Sequence, residues 1–442
     1  MAHNPDSSGC RYEAQALEEL KQTTLDQTTK GLPFGARTSP AQSRSRGWKI
    51  LRGDLPFPLL VIKESALEHN LTEMADWCGE NGLWLAPHVK TTMSPQIFER
   101  QIAKGAWALT VANLSQVQVC LTFGVSRIVI ANQVAGAANL RALTSLLNEH
   151  PNLECYCLVD SVAGVKHLAG GLEQYGAQRP INVLLEWGHQ GWRTGVRSIE
   201  LGLEVCREAA LHSRFLKLQG VEAFEGSVSA PEGGDEEARQ VDQFLEGLQT
   251  LGRQVRASWP ELELPLLSMG GSAFLDRVLR AALRVRGEFR TVIRSGCYVT
   301  HDHVQYERKQ AASLARAAGQ WRVPQFIPAL ELWSYVQSVP EEGLALLTFG
   351  KRDAPHDLEL PVPLFALSEG RPLDAARPLA GSRVFKLNDQ HAYLALDRDQ
   401  QVQVGDLVCA GISHPCTAFD KWRAIPVVND DYEVVDLYRT FF

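Results

Sequence analysis

The sequence predicts a (β/α)8 TIM barrel followed by a mainly antiparallel β domain, and three observations lead there. Short β-branched runs alternate with amphipathic stretches from Pro58 onward, which is the pattern of repeated βα units around a parallel sheet. Eight such runs can be counted from Leu83. Regular alternation over about 210 residues suits a closed barrel, whereas a doubly wound sheet has no reason to stop at eight. Beyond residue 312 the runs are separated by Pro, Gly and Asp turns, so an antiparallel unit follows the barrel.

Taken in order, residues 1–54 read as an N-terminal extension: a modest helical pattern through Leu17 and Leu20, then a Gly/Pro/Ser/Arg-rich loop. It is expected to pack on the β domain or on a dimer partner. Residues 55–311 are assigned to the barrel. They open with PLLVIK and a helix from Ser65 to Asn81 that sets Leu67, Leu71, Met74 and Cys78 on one face. The eight strands are LWLAPHVK, ALTVA, RIVIAN, LECYCLVD, INVLLEW, LKLQGVEAF, LPLLSMGG and FRTVIRSG. Ser94 with Pro95 opens one intervening helix, Ser115 opens another that Gly124 closes, and AALHS ends a third. Residues 312–442 are assigned to the β domain, through ALELWSYVQSV, GLALLTFG, SRVFKLND, HAYLAL, GDLVCAGI and a last strand in VVDLYRTFF.

Composition excludes several functions. Lys and Arg total 44 against 51 acidic residues, a net charge of −7, and no basic run offers a footprint for nucleic acid. The first residues lack a basic start with an apolar core, and no stretch approaches the roughly 18 apolar residues that cross a bilayer. A soluble cytoplasmic protein without a membrane partner is expected. The nine cysteines contain no CxxC, which argues for reduced thiols.

In a barrel the active site forms where strands end and βα loops begin. The first strand ends in Lys90, followed by Thr91, Thr92 and Met93. An amine held there against apolar surface is placed to attack an aldehyde; a lysine that merely points to solvent is the plainer reading. The seventh strand exits through Ser268, Gly270, Gly271 and Ser272, the eighth through Ser295, Gly296 and Tyr298. Glycines let backbone N–H groups approach a phosphate, and barrels bind phosphate between these two strands. A reactive lysine across from a phosphate cradle describes a pyridoxal 5′-phosphate site. Arg193, after a Gly-rich bend on the fifth strand, suits the cofactor's phenolic oxygen. At the sixth strand's end stand Glu222, Ala223, Phe224, Glu225 and Gly226, where Phe224 is placed to pack on the cofactor ring.

The β domain adds His414 and Cys416 after an apolar strand. Two residues apart in an extended segment share a face, and an imidazole with a thiolate suits Zn²⁺. His301 and His303 are a rival pair with the same spacing, and a buried Cys beside a satisfied His remains the default for either.

With these residues in hand, the chain resembles the D-serine dehydratase and D-threonine aldolase family, which shares the alanine racemase type of pyridoxal phosphate fold. The likeness runs from LPFPLLVIKESALEHN to HPCTAFDKWR, and its strongest motif is PHVKT. The resemblance implies that Lys90 carries the Schiff base, with His88 beside it, and that Arg193 contacts the cofactor. It further implies that Gly270, Gly271, Ser272, Gly296, Cys297 and Tyr298 hold phosphate. In that family the H-x-C or H-x-D pair binds a divalent ion, here through His414 and Cys416. The cysteine form is similar to zinc-dependent D-serine dehydratases and the aspartate form to manganese-dependent aldolases, so zinc is the first expectation, with manganese or magnesium behind it. Ala86 and Thr92 stand where the family often has Arg and His, and Phe224 where a tyrosine is common.

The expected activity is therefore dehydration of a D-3-hydroxy amino acid to a 2-oxo acid and ammonia by a pyridoxal phosphate- and metal-dependent lyase. Alternatives are retro-aldol cleavage to glycine and an aldehyde, deamination of an amino sugar acid such as D-glucosaminate, and non-catalytic storage of the cofactor. A racemase needs a second base on the opposite face, which Phe224 does not offer. Family relatives form dimers, so a homodimer acting on a small D-amino acid is expected.

Overall fold

The computed structural model describes residues 9–228, 234–262 and 264–442; the first eight residues of the extension lie outside them. Eight parallel strands form the barrel, namely Trp84–Leu85, Leu109–Val111, Arg127–Ile130, Glu154–Val159, Ile181–Trp187, Leu216–Ala223, Leu266–Met269 and Arg290–Ile293. The eighth strand pairs with the first through Val292 and Ile293. The ring closes where Trp107 N donates to Leu85 O at 2.7 Å and Thr110 N donates to Pro87 O at 2.9 Å. All eight expected strands are present, although the first is shorter than its apolar run. Pro87 has no N–H to continue the ladder, and the chain turns into a 3₁₀ segment, Val89–Thr91, that carries Lys90.

Side chains two apart on a strand face the same way, and this parity decides the barrel's contents. Ala86, Ala108, Val129, Tyr156, Leu158, Leu184, Leu266 and Val292 form one apolar cluster that fills the interior. Their alternates, such as Leu109, Ile128, Cys157, Val183 and Leu267, join the main core beneath the helices. Continued toward the strand ends, the inward series becomes His88, Thr110, Glu186, Glu222, Ser268 and Arg294. Apolar filling below and a polar layer above thus follow from one period-two pattern. Gly220 makes the close approach on the sixth strand possible, because a Cβ there would meet Leu266 O at 2.0 Å and its φ is +151°.

The helices form largely where the sequence places them. Glu64–Asn81 buries Leu67, Leu71, Met74 and Cys78 with Trp77. Pro95–Ala103 opens after Ser94, and Ile199–Leu211 ends before His212. The helix assigned to Ser115 instead starts at Leu114, because the Asn113 side chain accepts from Gln116 N and caps it. Gln305–Ala317 packs on Leu275–Arg284 and so belongs with the barrel helices.

One strand differs from its expected place. Leu59–Lys63, grouped with the barrel from its position in the chain, is hydrogen-bonded antiparallel to Leu330–Trp333 and parallel to Val427–Val428. Its continuous apolar run, buried at Leu59 through Ile62, suits a central strand of either sheet, so sequence alone does not choose. The β domain is otherwise antiparallel, with Leu407–Gly411 between Leu330–Glu341 and Val362–Leu367. In the extension, Ala14–Gln22 lays Leu17 and Leu20 against Phe123 of the barrel, while Leu25 and Leu32 pack with Ala424 and Leu437 of the β domain.

Candidate active site

A cavity of about 250 Å³ opens at the C-terminal ends of the barrel strands, lined by residues from both domains. Ten of the residues expected from sequence meet there: His88, Lys90, Arg193, Phe224, Gly270, Ser272, Gly296, Cys297, His414 and Cys416. Ser268, Gly271 and Tyr298 lie just behind the wall. Ser268 accepts from Arg294 Nη1, Gly271 N is bonded to Glu225, and the Tyr298 hydroxyl accepts from Gln101 Nε2 at 3.2 Å. His301 and His303 are both outside the lining. His301 Nε2 lies 3.1 Å from Glu307 Oε2, and His303 is tucked against Gly411.

The floor is the polar layer of the barrel interior. Arg294 Nη2 lies 2.5 Å from Glu222 Oε2 with both side chains buried, and it also donates to Ala223 O at 3.0 Å. Burial raises the Glu222 carboxyl to about 7, against the pull of Arg294 and with a push from Glu186. A raised carboxyl holds its proton more tightly when folded. Its contribution to stability is whole below the ordinary carboxylate range and is lost as pH rises through about 7. Glu222→Gln is therefore expected to gain stability relative to the parent between about pH 5 and about pH 8, read from urea midpoints at both. A parallel pH response in the two proteins would contradict the assignment.

The Gly270–Gly271 turn does not present open donors. Gly270 N and Gly271 N donate to the two oxygens of Glu225 at 2.9 and 2.6 Å. Other donors are available beside it: among the described residues the backbone N–H groups of Ser272, Gly296 and Cys297 have no acceptor in the protein. The hydroxyls of Ser272 and Ser295 lie 3.1 Å apart at the same spot. Gly296 is required there, because a Cβ would come within 2.4 Å of His88 O. Across the mouth the Arg193 guanidinium stacks 4.8 Å above the Phe224 ring. Its loop is braced by Arg197, which donates to Thr194 O and Gly195 O, and by Thr194, whose hydroxyl donates to Glu186 at 2.7 Å.

The β domain reaches over its own barrel to complete the wall. His414 and Cys416 both line the cavity, though through a different local geometry than the extended one expected. Pro415 is helical, φ −59° and ψ −41°, and opens the short turn Cys416–Phe419. Asp357 Oδ2 lies 2.6 Å from His414 Nδ1 and its other oxygen accepts from Thr417 at 2.7 Å, which fixes the ring and leaves Nε2 for the cavity. Burial works against the His414 charge, but the Cys416 sulfur and the Asp357 carboxylate raise it to about 9. The Cys416 thiol is held well below its ordinary range, first by Cys297 and then, against burial, by His414. Cys297 Sγ is 3.5 Å away and Thr91 Oγ1 is 3.2 Å away. Among the described residues no third His, Cys, Asp or Glu completes a metal cluster with this pair. Glu186, Arg294, Tyr306, Asp357 and Thr91 were not singled out from sequence as site residues; for Glu186 and Arg294 the strand parity carried the signal.

Comparison with known proteins agrees with this architecture. The family described as alanine racemase, N-terminal domain, matches residues 62–300, and the putative serine dehydratase domain matches residues 329–428. A D-threonine aldolase from Arthrobacter sp. is 30% identical over 171 residues, covering 39% of this chain and 44% of that protein. A D-threo-3-hydroxyaspartate dehydratase from Delftia sp. (strain HT23) is 28% identical over 258 residues, covering 57% and 62%. The matches thus span less than two thirds of these curated relatives. Among solved structures, a D-threonine aldolase from Filomicrobium marinum superposes with a TM-score of 0.72 at 23% identity, over 89% of this chain and 97% of that one. The alanine racemase model covers more than half of the chain, so the chain belongs to the alanine racemase-like family, and its β domain matches the putative serine dehydratase domain.

Proposed function

We propose that this chain is a pyridoxal 5′-phosphate- and divalent metal-dependent lyase that dehydrates D-3-hydroxy amino acids to a 2-oxo acid and ammonia. One observation carries the reading: Lys90 and the His414–Cys416 pair line the same cavity from opposite domains. Pyridoxal phosphate is the group the family implies, and the residues present fit it. The open N–H groups of Ser272, Gly296 and Cys297 with two serine hydroxyls suit a phosphate. The buried His88 Nδ1 has no partner in the protein, and the ring stays neutral because burial, then the Lys90 and Arg294 charges, hold it well below its ordinary range. Phe224 gives an aromatic wall.

When bound, the cofactor supplies a ring that takes up the electron pair left at Cα. Lys90 would hold the cofactor, and its Nζ is the amine in the cavity lining that would take the α-proton. Arg193 and the Arg294–Glu222 pair orient the polar edges of the bound molecules, and the β domain covers the mouth against water. His414 and Cys416 would hold a divalent ion, which would supply Lewis acidity to the β-hydroxyl. With thiolate and imidazole as donors, zinc is the ion the set favours over manganese or magnesium. Two protein donors leave positions for the substrate. Because Asp357 orients the His414 ring, Asp357→Asn is expected to weaken metal affinity about 10- to 100-fold, measured by competition with a chromophoric chelator, while cofactor absorbance stays unchanged.

Named relatives include both a dehydratase and an aldolase, so cleavage to glycine and an aldehyde is the second reading. Purified protein loaded with both cofactors, given D-serine, D-threonine, D-threo-3-hydroxyaspartate and D-glucosaminate separately, is expected to release ammonia. Aldehyde without ammonia would replace dehydration by cleavage, and neither product would leave a cofactor-binding protein. We extend the reading to a homodimer, by analogy with family relatives, and to a reducing, cytoplasmic setting, which nine unpaired cysteines support. Among the described residues no helix is long and apolar enough to cross a membrane.

A further inference from the structure

Of the nine cysteines, eight are buried and Cys416 is the partly exposed one. Cys416 Sγ lies 3.5 Å from Cys297 Sγ, and the two are separated by 119 residues of chain. Both line the cavity, which admits small solutes. Cys297 begins the short turn Cys297–Val299 at the exit of the eighth barrel strand, and Cys416 begins Cys416–Phe419 in the β domain. A disulfide needs the sulfurs at about 2.05 Å, roughly 1.5 Å closer than the 3.5 Å at which they stand. Among the described residues this is the one cysteine pair within hydrogen-bonding distance.

We propose that Cys297 and Cys416 form an oxidisable dithiol, a modification site for hydrogen peroxide that closes the metal position. Cys416 Sγ attacks one peroxide oxygen; the O–O bond breaks, and hydroxide leaves and takes up a proton. Cys297 Sγ then attacks the resulting sulfenic sulfur; the S–S bond forms, the S–O bond breaks, and water departs with the Cys297 proton. Two thiols lose two electrons and the peroxide becomes two waters. The product ties barrel to β domain across the mouth, removes the thiolate donor of the metal pair, and deprives Thr91 Oγ1 of its 3.2 Å contact with that sulfur. Thr91 follows Lys90 in the same turn, so oxidation is felt at the reactive amine as well. A thiol reductant reverses the change.

The test uses the full chain loaded with pyridoxal phosphate, stripped of metal with a chelator, and treated with one equivalent of hydrogen peroxide. Non-reducing peptide mapping is expected to find the Cys297 and Cys416 peptides linked, with the intact mass lower by two hydrogens and restored by dithiothreitol. The oxidised protein is expected to take up no zinc where the reduced protein does. In Cys297→Ser the same treatment is expected to leave a sulfenic acid on Cys416, trapped by dimedone. Both thiols still open to alkylation after peroxide, or a linkage through other cysteines, would overturn the proposal. The parent protein's map decides this even if the variant does not fold, and a covalent link is read independently of any lyase assay.

Discussion

Replacing Lys90 by alanine is expected to abolish the visible absorption of the cofactor-loaded protein and to lower turnover by at least about a thousandfold, the scale of a lost proton-transfer group. The expectation rests on position. Lys90 lies on the 3₁₀ turn Val89–Thr91 that replaces the end of the first strand, and its side chain lines the cavity beside the open backbone donors. Among the described residues no other lysine lines that cavity, so none of their amines is placed to substitute for it. Because Lys90 is not part of the packed core, the variant is expected to keep its urea midpoint, which separates lost chemistry from lost folding. A variant that stays coloured and active would remove Lys90 from its assigned role.

His414→Ala is expected to divide the reaction differently. Without the ring, the ion loses one of two protein donors, bound metal falls to background, and product formation drops by about a thousandfold, several kcal/mol of leaving-group assistance. The cofactor spectrum is expected to persist, and so is exchange of the substrate α-hydrogen for deuterium in heavy water, because Lys90 is untouched. Chelation of the parent protein is expected to reproduce this phenotype, and added zinc to reverse it in the parent alone. Loss of α-exchange along with product would mean that His414 serves the proton transfer or the cofactor instead of an ion.

The fold was legible because its signal is local. Parallel strands buried on both faces read as short apolar runs such as RIVI and INVLL, and all eight emerge from the chain without tertiary information. Lys90, Gly296 and Cys416 were legible in the same way, as chemistry-bearing residues at element ends. The misplacement of Leu59–Lys63 has the opposite cause: its partners Leu330–Trp333 and Val427–Val428 lie far along the chain, and adjacency in sequence suggested the barrel. Glu225 is a similar case. Nothing local tells that its carboxylate occupies the Gly270 and Gly271 N–H groups, which moves the candidate phosphate cradle to Ser272, Gly296 and Cys297. Asp357 meets His414 only through folding of the β domain. Arg294 and Glu186 were recoverable from sequence, since they continue the inward series Val292 and Leu184 by one period.

The most direct measurement is to treat the cofactor-loaded protein with borohydride, digest it and locate the pyridoxyl label by mass spectrometry. A single labelled peptide carrying Lys90, with none after substitution of that residue, is what the arrangement predicts. A label on another lysine, or no label in a protein that has bound the cofactor, would contradict it.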